Sequence, residues 1–275
     1  MEERNFENRV AYLNNEYSQY QSQLDLPIWN KKHTRGINLR NFRADNVYVW
    51  QKRNYSEKVL LESFRTVVQS DQNGLLDLVT EDGGYGAENY VVDGKNFSRD
   101  LADSILEINF LLSALPKRPS RVLDIGAGYG RFAKRSIECG FTREVFCIDG
   151  VAVSTALSEY YLAPQISNGS VKVVCFHEQA RLYSEEFDLV TNIHSFSEMS
   201  LSEVEKWVDL IANLEIPWIF IVPNGPNLAL NDGTDFSHLL TRRGYAIHAK
   251  RNKYPNSEFS DQLFYPATYF LLKLA

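Results

Sequence analysis

VLDIGAGYGRFA, residues Val122 to Ala133, joins an apolar strand to an amphipathic helix through a glycine-rich turn. Asp124 stands near the end of the strand, and Gly126, Gly128 and Gly130 precede the helix. Glycine lets a backbone turn tightly and lets a ligand approach without a Cβ in the way. The helix start adds free N–H groups and the positive end of the helix dipole. In an open α/β sheet, such a junction is where a nucleotide-like ligand sits. Outward from it, apolar strands are expected at Arg121–Ile125, Glu144–Asp149, Val171–Phe176, Phe187–Ile193, Trp218–Val222, Tyr245–Lys250 and Thr268–Leu274. Amphipathic helices fall between them at Arg131–Cys139, Ser154–Leu162, Ser202–Leu214 and Asp235–Arg243. This alternation predicts βαβ units, right-handed crossovers and a doubly wound α/β sheet. No helix separates the last two strands, so they are expected to form an antiparallel hairpin at the edge of a seven-stranded sheet, with the last strand reversed.

The 275 residues divide into two regions. Residues 99–275 carry the alternation, opened by a helix over Arg99–Leu115 that Ser98 can cap, with Leu101, Ile105, Ile108 and Leu112 as its apolar stripe. Residues 1–98 read as an N-terminal helical cap on the acceptor side. Helices are expected at Phe6–Leu24 and Ser56–Gln69, and a glycine- and tyrosine-rich loop at residues 84–96 is a candidate lid. Lys and Arg number 29 against 35 Asp and Glu, a net charge of −6. That balance argues against sequence-independent nucleic-acid binding, which needs a surplus of cations. Cys139, Cys147 and Cys175 show no C-x-x-C spacing and read as reduced thiols of a cytoplasmic protein. The first residues, MEERNFENRV, lack the apolar core of a signal peptide, and the longest apolar runs are too short to span a bilayer.

Two ligand classes suit the glycine loop. A dinucleotide site wants G-x-G-x-x-G, and Arg131 stands where the third glycine belongs. The observed D-x-G-x-G-x-G, with its acid two residues before Gly126, resembles motif I of class I S-adenosylmethionine-dependent methyltransferases. The resemblance covers residues 99–275 and implies a Rossmann-like sheet. It also implies S-adenosyl-L-methionine as cofactor, with Asp124 holding the methionyl ammonium. The backbone of Gly126, Gly128 and Tyr129 would lie against the cofactor. Asp149 and Gly150 end the second strand, and Asp149 follows Gly128 by 21 residues. A carboxylate there can accept from both ribose hydroxyls; alone, it would be an ordinary acidic turn. Gln179 occupies the place after the third strand where the resembled family meets the adenine amino group.

Polar residues crowd the end of the fourth strand. FDLV, followed by N-x-x-S-F-S-E-M over Asn192–Met199, resembles the sugar O-methyltransferase family of bacterial polysaccharide clusters. That narrower likeness implies a sugar, nucleotide-sugar or glycoconjugate acceptor. The family often has Tyr where this chain has His194. Methyl transfer to an unactivated hydroxyl needs a positioned base, and histidine suits the task. His194 is the candidate base; otherwise it is a hydrogen-bonded loop histidine. Glu198 can orient it, bind acceptor hydroxyls, or serve as the base; otherwise it is a helix N-terminal acid worth a fraction of a kcal/mol. Asn192 is assigned to the cofactor; otherwise it holds a backbone turn or contacts the acceptor. Tyr85, Tyr90 and His177 are assigned to the ligand, the tyrosines as stacking surfaces for a sugar. Pro223–Pro226 is expected to face the site. No adjacent Asp-Asp pair or H-x-x-x-H stands at the strand ends, so no metal is expected. A homodimer is compatible with the chain. The rival readings are methylation of a small non-sugar or phosphorylated metabolite, and a non-catalytic cofactor-binding subunit.

Overall fold

The computed structural model describes residues 2–20, 27–45, 47–48, 57–79, 83–254 and 267–275. Helices α1 (Glu2–Ser18), α2 (Lys31–Thr34) and α3 (Glu57–Ser70) precede a hairpin of β1 (Tyr90–Val92) and β2 (Lys95–Phe97). Helix α1 stops short of the expected Leu24, which lies outside the described residues together with Ser56. The hairpin corrects the reading of residues 84–96 as loop throughout. Asp93 and Gly94 connect the paired Val92 and Lys95, with φ of 50° and 77°. Two positive φ values in a two-residue turn match the twist of the flanking strands. Strands of three residues are too short to show alternation, so only the Asp-Gly pair marked the hairpin.

The second region follows its expected order. It runs α4 (Arg99–Ala114), β3 (Arg121–Ile125), α5 (Arg131–Glu138), β4 (Glu144–Asp149), α6 (Ala152–Tyr161), α7 (Ala163–Ser167) and β5 (Val171–Cys175). Then come β6 (Leu189–Ile193), α8 (Leu201–Asn213), β7 (Trp218–Val222), α9 (Ser237–Arg242), β8 (Tyr245–Asn252) and β9 (Thr268–Leu274). Ser98 Oγ accepts from Leu101 N and caps α4 as the sequence proposed. The strands form one seven-stranded sheet in the order β5-β4-β3-β6-β7-β9-β8. Strand β9 runs antiparallel to both neighbours, between β7 and the edge strand β8, so the reversed strand lies one place in from the edge. Strand order reverses between β3 and β6, which both begin at the middle of the sheet and part in opposite directions. A crevice at that switch point is where an open α/β sheet binds its ligand.

Side-chain links fasten the N-terminal region to this sheet and its helices. Arg9 pairs with Glu159 on α6 at 2.6 Å. The Tyr17 hydroxyl meets Thr155 Oγ1 at 2.9 Å and accepts from Phe176 N at 2.9 Å. The Tyr48 hydroxyl meets Ser154 Oγ at 2.8 Å. Arg43 holds Asp100 bidentately at 2.8 and 3.0 Å, and the Tyr129 hydroxyl donates to the same carboxylate at 2.6 Å. Burial opposes ionisation of Asp100, but Arg43 outweighs it and holds the carboxyl down at about 2. One hydrophobic cluster runs from Phe6 and Leu13 through Phe42 and Phe64 to the sheet. No helix among the described residues is long and apolar enough to cross a membrane. The three cysteines are buried free thiols.

Candidate active site

The glycine loop is shaped first by its protein neighbours. Gly126 (φ 72°) would place a Cβ 2.2 Å from Ser195 Oγ, and Gly130 (φ 87°) would place one 2.3 Å from Leu162 Cδ1. Gly126 therefore lets the end of β6 press against the loop. Gly126 N and Ala127 N both donate to Ile148 O, at 2.9 and 3.3 Å, which fixes the loop to the end of β4. A Cβ on Gly128 would meet the Tyr48 ring at 3.2 Å, so an aromatic side chain from the N-terminal region covers the loop.

A cavity of about 450 Å³ opens over the ends of β3, β4 and β6. It brings together Asp124, Gly126, Gly128, Tyr129, Asp149, Gly150, His194 and Glu198. The Asp124 side chain accepts from Thr191 Oγ1 at 2.6 Å, and burial pushes its carboxyl up to about 7. Asp149 accepts from Val151 N at 2.8 Å on one oxygen and from Gly128 N at 2.9 Å on the other, and burial pushes it to about 7 as well. Each oxygen keeps lone-pair capacity for another donor. A carboxyl raised this far by burial is one that a cationic or hydroxyl-bearing ligand would stabilise in its charged form. The residues thus fit a ligand with an ammonium near Asp124 and a diol near Asp149.

His194 departs from its expected chemistry. Burial, with Lys253 and Arg131 adding to it, pushes its pKa down to about 3. The imidazole is neutral at pH 7 and a weak base, not one poised near neutrality. Its backbone is unusual for a non-glycine residue, with φ 68°, and its N–H donates to Val222 O at 2.7 Å. Glu198 moves the other way, since burial raises its pKa. Trp29 Nε1 donates to one of its oxygens at 2.5 Å and Asn224 Nδ2 to the other at 3.3 Å. Both donors stabilise the charged form and temper the rise.

Five expected site residues do not line the cavity. Asn192 is buried, its amide donating to Ile125 O and accepting from Phe196 N, which makes it the brace between the ends of β3 and β6. Tyr85 stacks on Phe42 at 4.7 Å, and Tyr90 packs on Phe64 and donates to Glu88. His177 sits edge-on to Tyr17 at 5.9 Å. Gln179 lines a smaller depression beside Phe176 and Lys206, with Trp207 between it and the main cavity. Cys175, His177 and Glu178 bring ligand-type atoms within 4.8 Å of one another, but Arg9 Nη2 donates to Cys175 Sγ at 3.3 Å and already supplies a cation there.

Sequence reasoning missed Trp29, His33 and Tyr48, which close the cavity from the N-terminal region, and Arg99 and Lys253, which line it from α4 and past β8. Trp29 stacks on Tyr48 at 5.0 Å and meets His33 edge-on at 4.8 Å. Isolated aromatics between short elements carry no periodic signal. The i, i+4 spacing of Arg99 and Asp103 was the one sign of a charged helix face. Asn224 lines the cavity as the Pro223–Pro226 loop was expected to.

No family profile and no curated protein sequence matches the chain. Solved structures resemble it distantly. An S-adenosylmethionine-dependent methyltransferase from Clostridium acetobutylicum is 13% identical over 62% of this chain and 90% of its own, with a TM-score of 0.46. A SAM-dependent methyltransferase from Leishmania major is 17% identical over 78% of this chain and 82% of its own, with a TM-score of 0.47. A protein of the NADB-Rossmann superfamily from Streptococcus agalactiae is 12% identical over 62% of this chain and 68% of its own, at 0.47. At these identities and scores the likeness carries no reading of this chain's ligand or activity, while its own strand order makes the sheet Rossmann-like.

Proposed function

We propose that residues 99–275 form a class I S-adenosylmethionine-dependent methyltransferase domain, covered by residues 1–98, that methylates a sugar or glycoconjugate hydroxyl. The observation that carries this reading is the pair of buried, raised carboxylates, Asp124 and Asp149, flanking one glycine loop. Asp124 takes the cofactor ammonium and Asp149 the ribose hydroxyls. Bound S-adenosylmethionine would supply an electrophilic methyl on its sulfonium, for in-line displacement by oxygen with S-adenosylhomocysteine as the leaving thioether. The protein orients the acceptor, excludes water and receives the acceptor proton. Glu198 is the group we assign to that proton, because burial raises it while His194 is held low. Neutral His194 is left to orient the acceptor. Asn224, Asn231 and Glu198 beside the Trp29 ring offer the mix of hydrogen-bonding and aromatic surface that suits a sugar.

The test is methyl transfer to a panel of nucleotide sugars, read as release of S-adenosylhomocysteine. Glu198→Gln is expected to lower kcat by roughly 10²–10⁴-fold, the usual worth of a positioned base, with cofactor affinity near wild type. An unchanged kcat would remove Glu198 from the proton transfer.

A further inference from the structure

One wall of the cavity is cationic, and nothing in the proposed chemistry uses it. Arg99 and Asp103 on α4, Arg131 at the start of α5, and Lys253 just past β8 all line the cavity. Arg131 is spent on Glu107, which it grips at 2.8 and 3.1 Å, and on Ser104 Oγ at 2.8 Å. A single oxygen of Asp103 then takes both Arg99 Nε at 2.8 Å and Lys253 Nζ at 2.6 Å. Arg99 and Lys253 thus share one carboxylate oxygen at the cavity wall. Lys253 is 5% exposed, so its charge is turned inward to the cavity and not to bulk water.

His194 adds a second observation at this wall. Among the described residues, His194 Nδ1 and the Tyr269 hydroxyl are buried and have no hydrogen-bond partner. His194 lines the cavity within the field of Lys253, Arg131 and Arg99, and Tyr269 lies within the field of Glu107 and Asp103. Buried polar atoms are almost always paired, so the unpartnered His194 Nδ1 in a cavity-lining residue marks a place for a ligand atom. Burial drives Lys253 down to about 8, against the pull of Asp103, so a second anion would hold it in its charged form.

We propose that this wall is an oxyanion site, in which Lys253 and Arg99 receive a carboxylate or phosphate group of a ligand bound in the cavity. The group has two sources. One is the amino-acid end of the cofactor, an arm that rests on the methyltransferase reading. The other is an acidic acceptor, which would narrow the substrate to a phosphorylated or carboxylated molecule.

Calorimetric titration separates the sources, with S-adenosylhomocysteine, with 5′-methylthioadenosine, which lacks the amino-acid group, and with inorganic phosphate added with and without saturating S-adenosylhomocysteine. Wild type, Lys253→Met and Lys253→Arg are compared. If Lys253→Met weakens S-adenosylhomocysteine tenfold or more, spares 5′-methylthioadenosine, and Lys253→Arg restores most of the loss, the site holds the cofactor carboxylate. If both nucleosides bind Lys253→Met as they bind wild type, but phosphate binds only wild type and Lys253→Arg, the site holds an acceptor oxyanion. If Lys253→Met alters neither S-adenosylhomocysteine nor phosphate binding, or wild type takes up no phosphate and the two nucleosides respond alike to the substitution, the proposal is overturned. Should Lys253→Met fail to fold, Arg99→Gln is read in the same way. Wild type binding neither nucleoside would count against the methyltransferase reading instead, and phosphate titration of the free protein would still decide the oxyanion site.

Discussion

Asp124, which we assign to the ligand, is a residue that burial makes costly for the fold. It is 3% exposed, and Thr191 is its one hydrogen-bond donor among the described residues. Burial lifts its carboxyl from 3.8 to about 7. The folded state then holds this proton more tightly than the unfolded state does. Ionisation begins to cost stability above pH 3.8, and the full cost, on the order of 4 kcal/mol as an upper figure, is present above pH 7. Asp124→Asn removes that cost. It is expected to raise the melting temperature of the ligand-free protein at pH 8 clearly more than at pH 5, and to abolish cofactor binding. Thermal denaturation at the two pH values checks this, and equal differences at both would show that Asp124 is not a strained acid. Both Asp124 and Asp149 were legible in the sequence, because strand-end acids around a glycine loop sit at fixed spacing. The character of His194 was not. Its low pKa depends on Lys253 and Arg131, which come from separate elements and meet it only in the fold.

At the scale of elements, the short segment around α2 closes one side of the cavity. Trp29 and Tyr48 stack on each other, Tyr48 covers Gly128, and Trp29 holds Glu198. The Trp29 hydrogen bond favours charged Glu198 and works against burial, which raises its pKa. Trp29→Phe keeps a ring of similar shape and deletes the donor. The Glu198 pKa is then expected to rise further, so the acidic limb of the kcat–pH profile should move to higher pH, since the base must be ionised to act. A profile that keeps its acidic limb in place would detach Trp29 from the chemistry. None of this is readable in residues 1–98: the glycine- and tyrosine-rich loop points to Tyr85 and Tyr90, whereas Trp29 and Tyr48 reach the cavity. The helices and strands from Arg99 onward were readable because each buries a face or both faces of a regular element, and that burial writes a period into the sequence.

For the molecule as a whole, alternating strands and helices leave few topologies open, and the observed order β5-β4-β3-β6-β7-β9-β8 is one of them. Strand β9 pairs antiparallel with β7 on one side and β8 on the other, the antiparallel pairing of the last two strands that the sequence leads one to expect. Where the cavity ends was beyond the sequence, since its walls come from α4, α5, the β6 end, the stretch past β8 and the N-terminal region together. The central claim is that this cavity binds S-adenosylmethionine through Asp124 and Asp149. The most direct test is calorimetric titration of the protein with S-adenosylhomocysteine, run beside Asp149→Ala and with NADH as a control ligand. Our account predicts binding by wild type, a loss of tenfold or more in Asp149→Ala, and no binding of NADH. Wild-type protein that ignores S-adenosylhomocysteine, or prefers NADH, would contradict it.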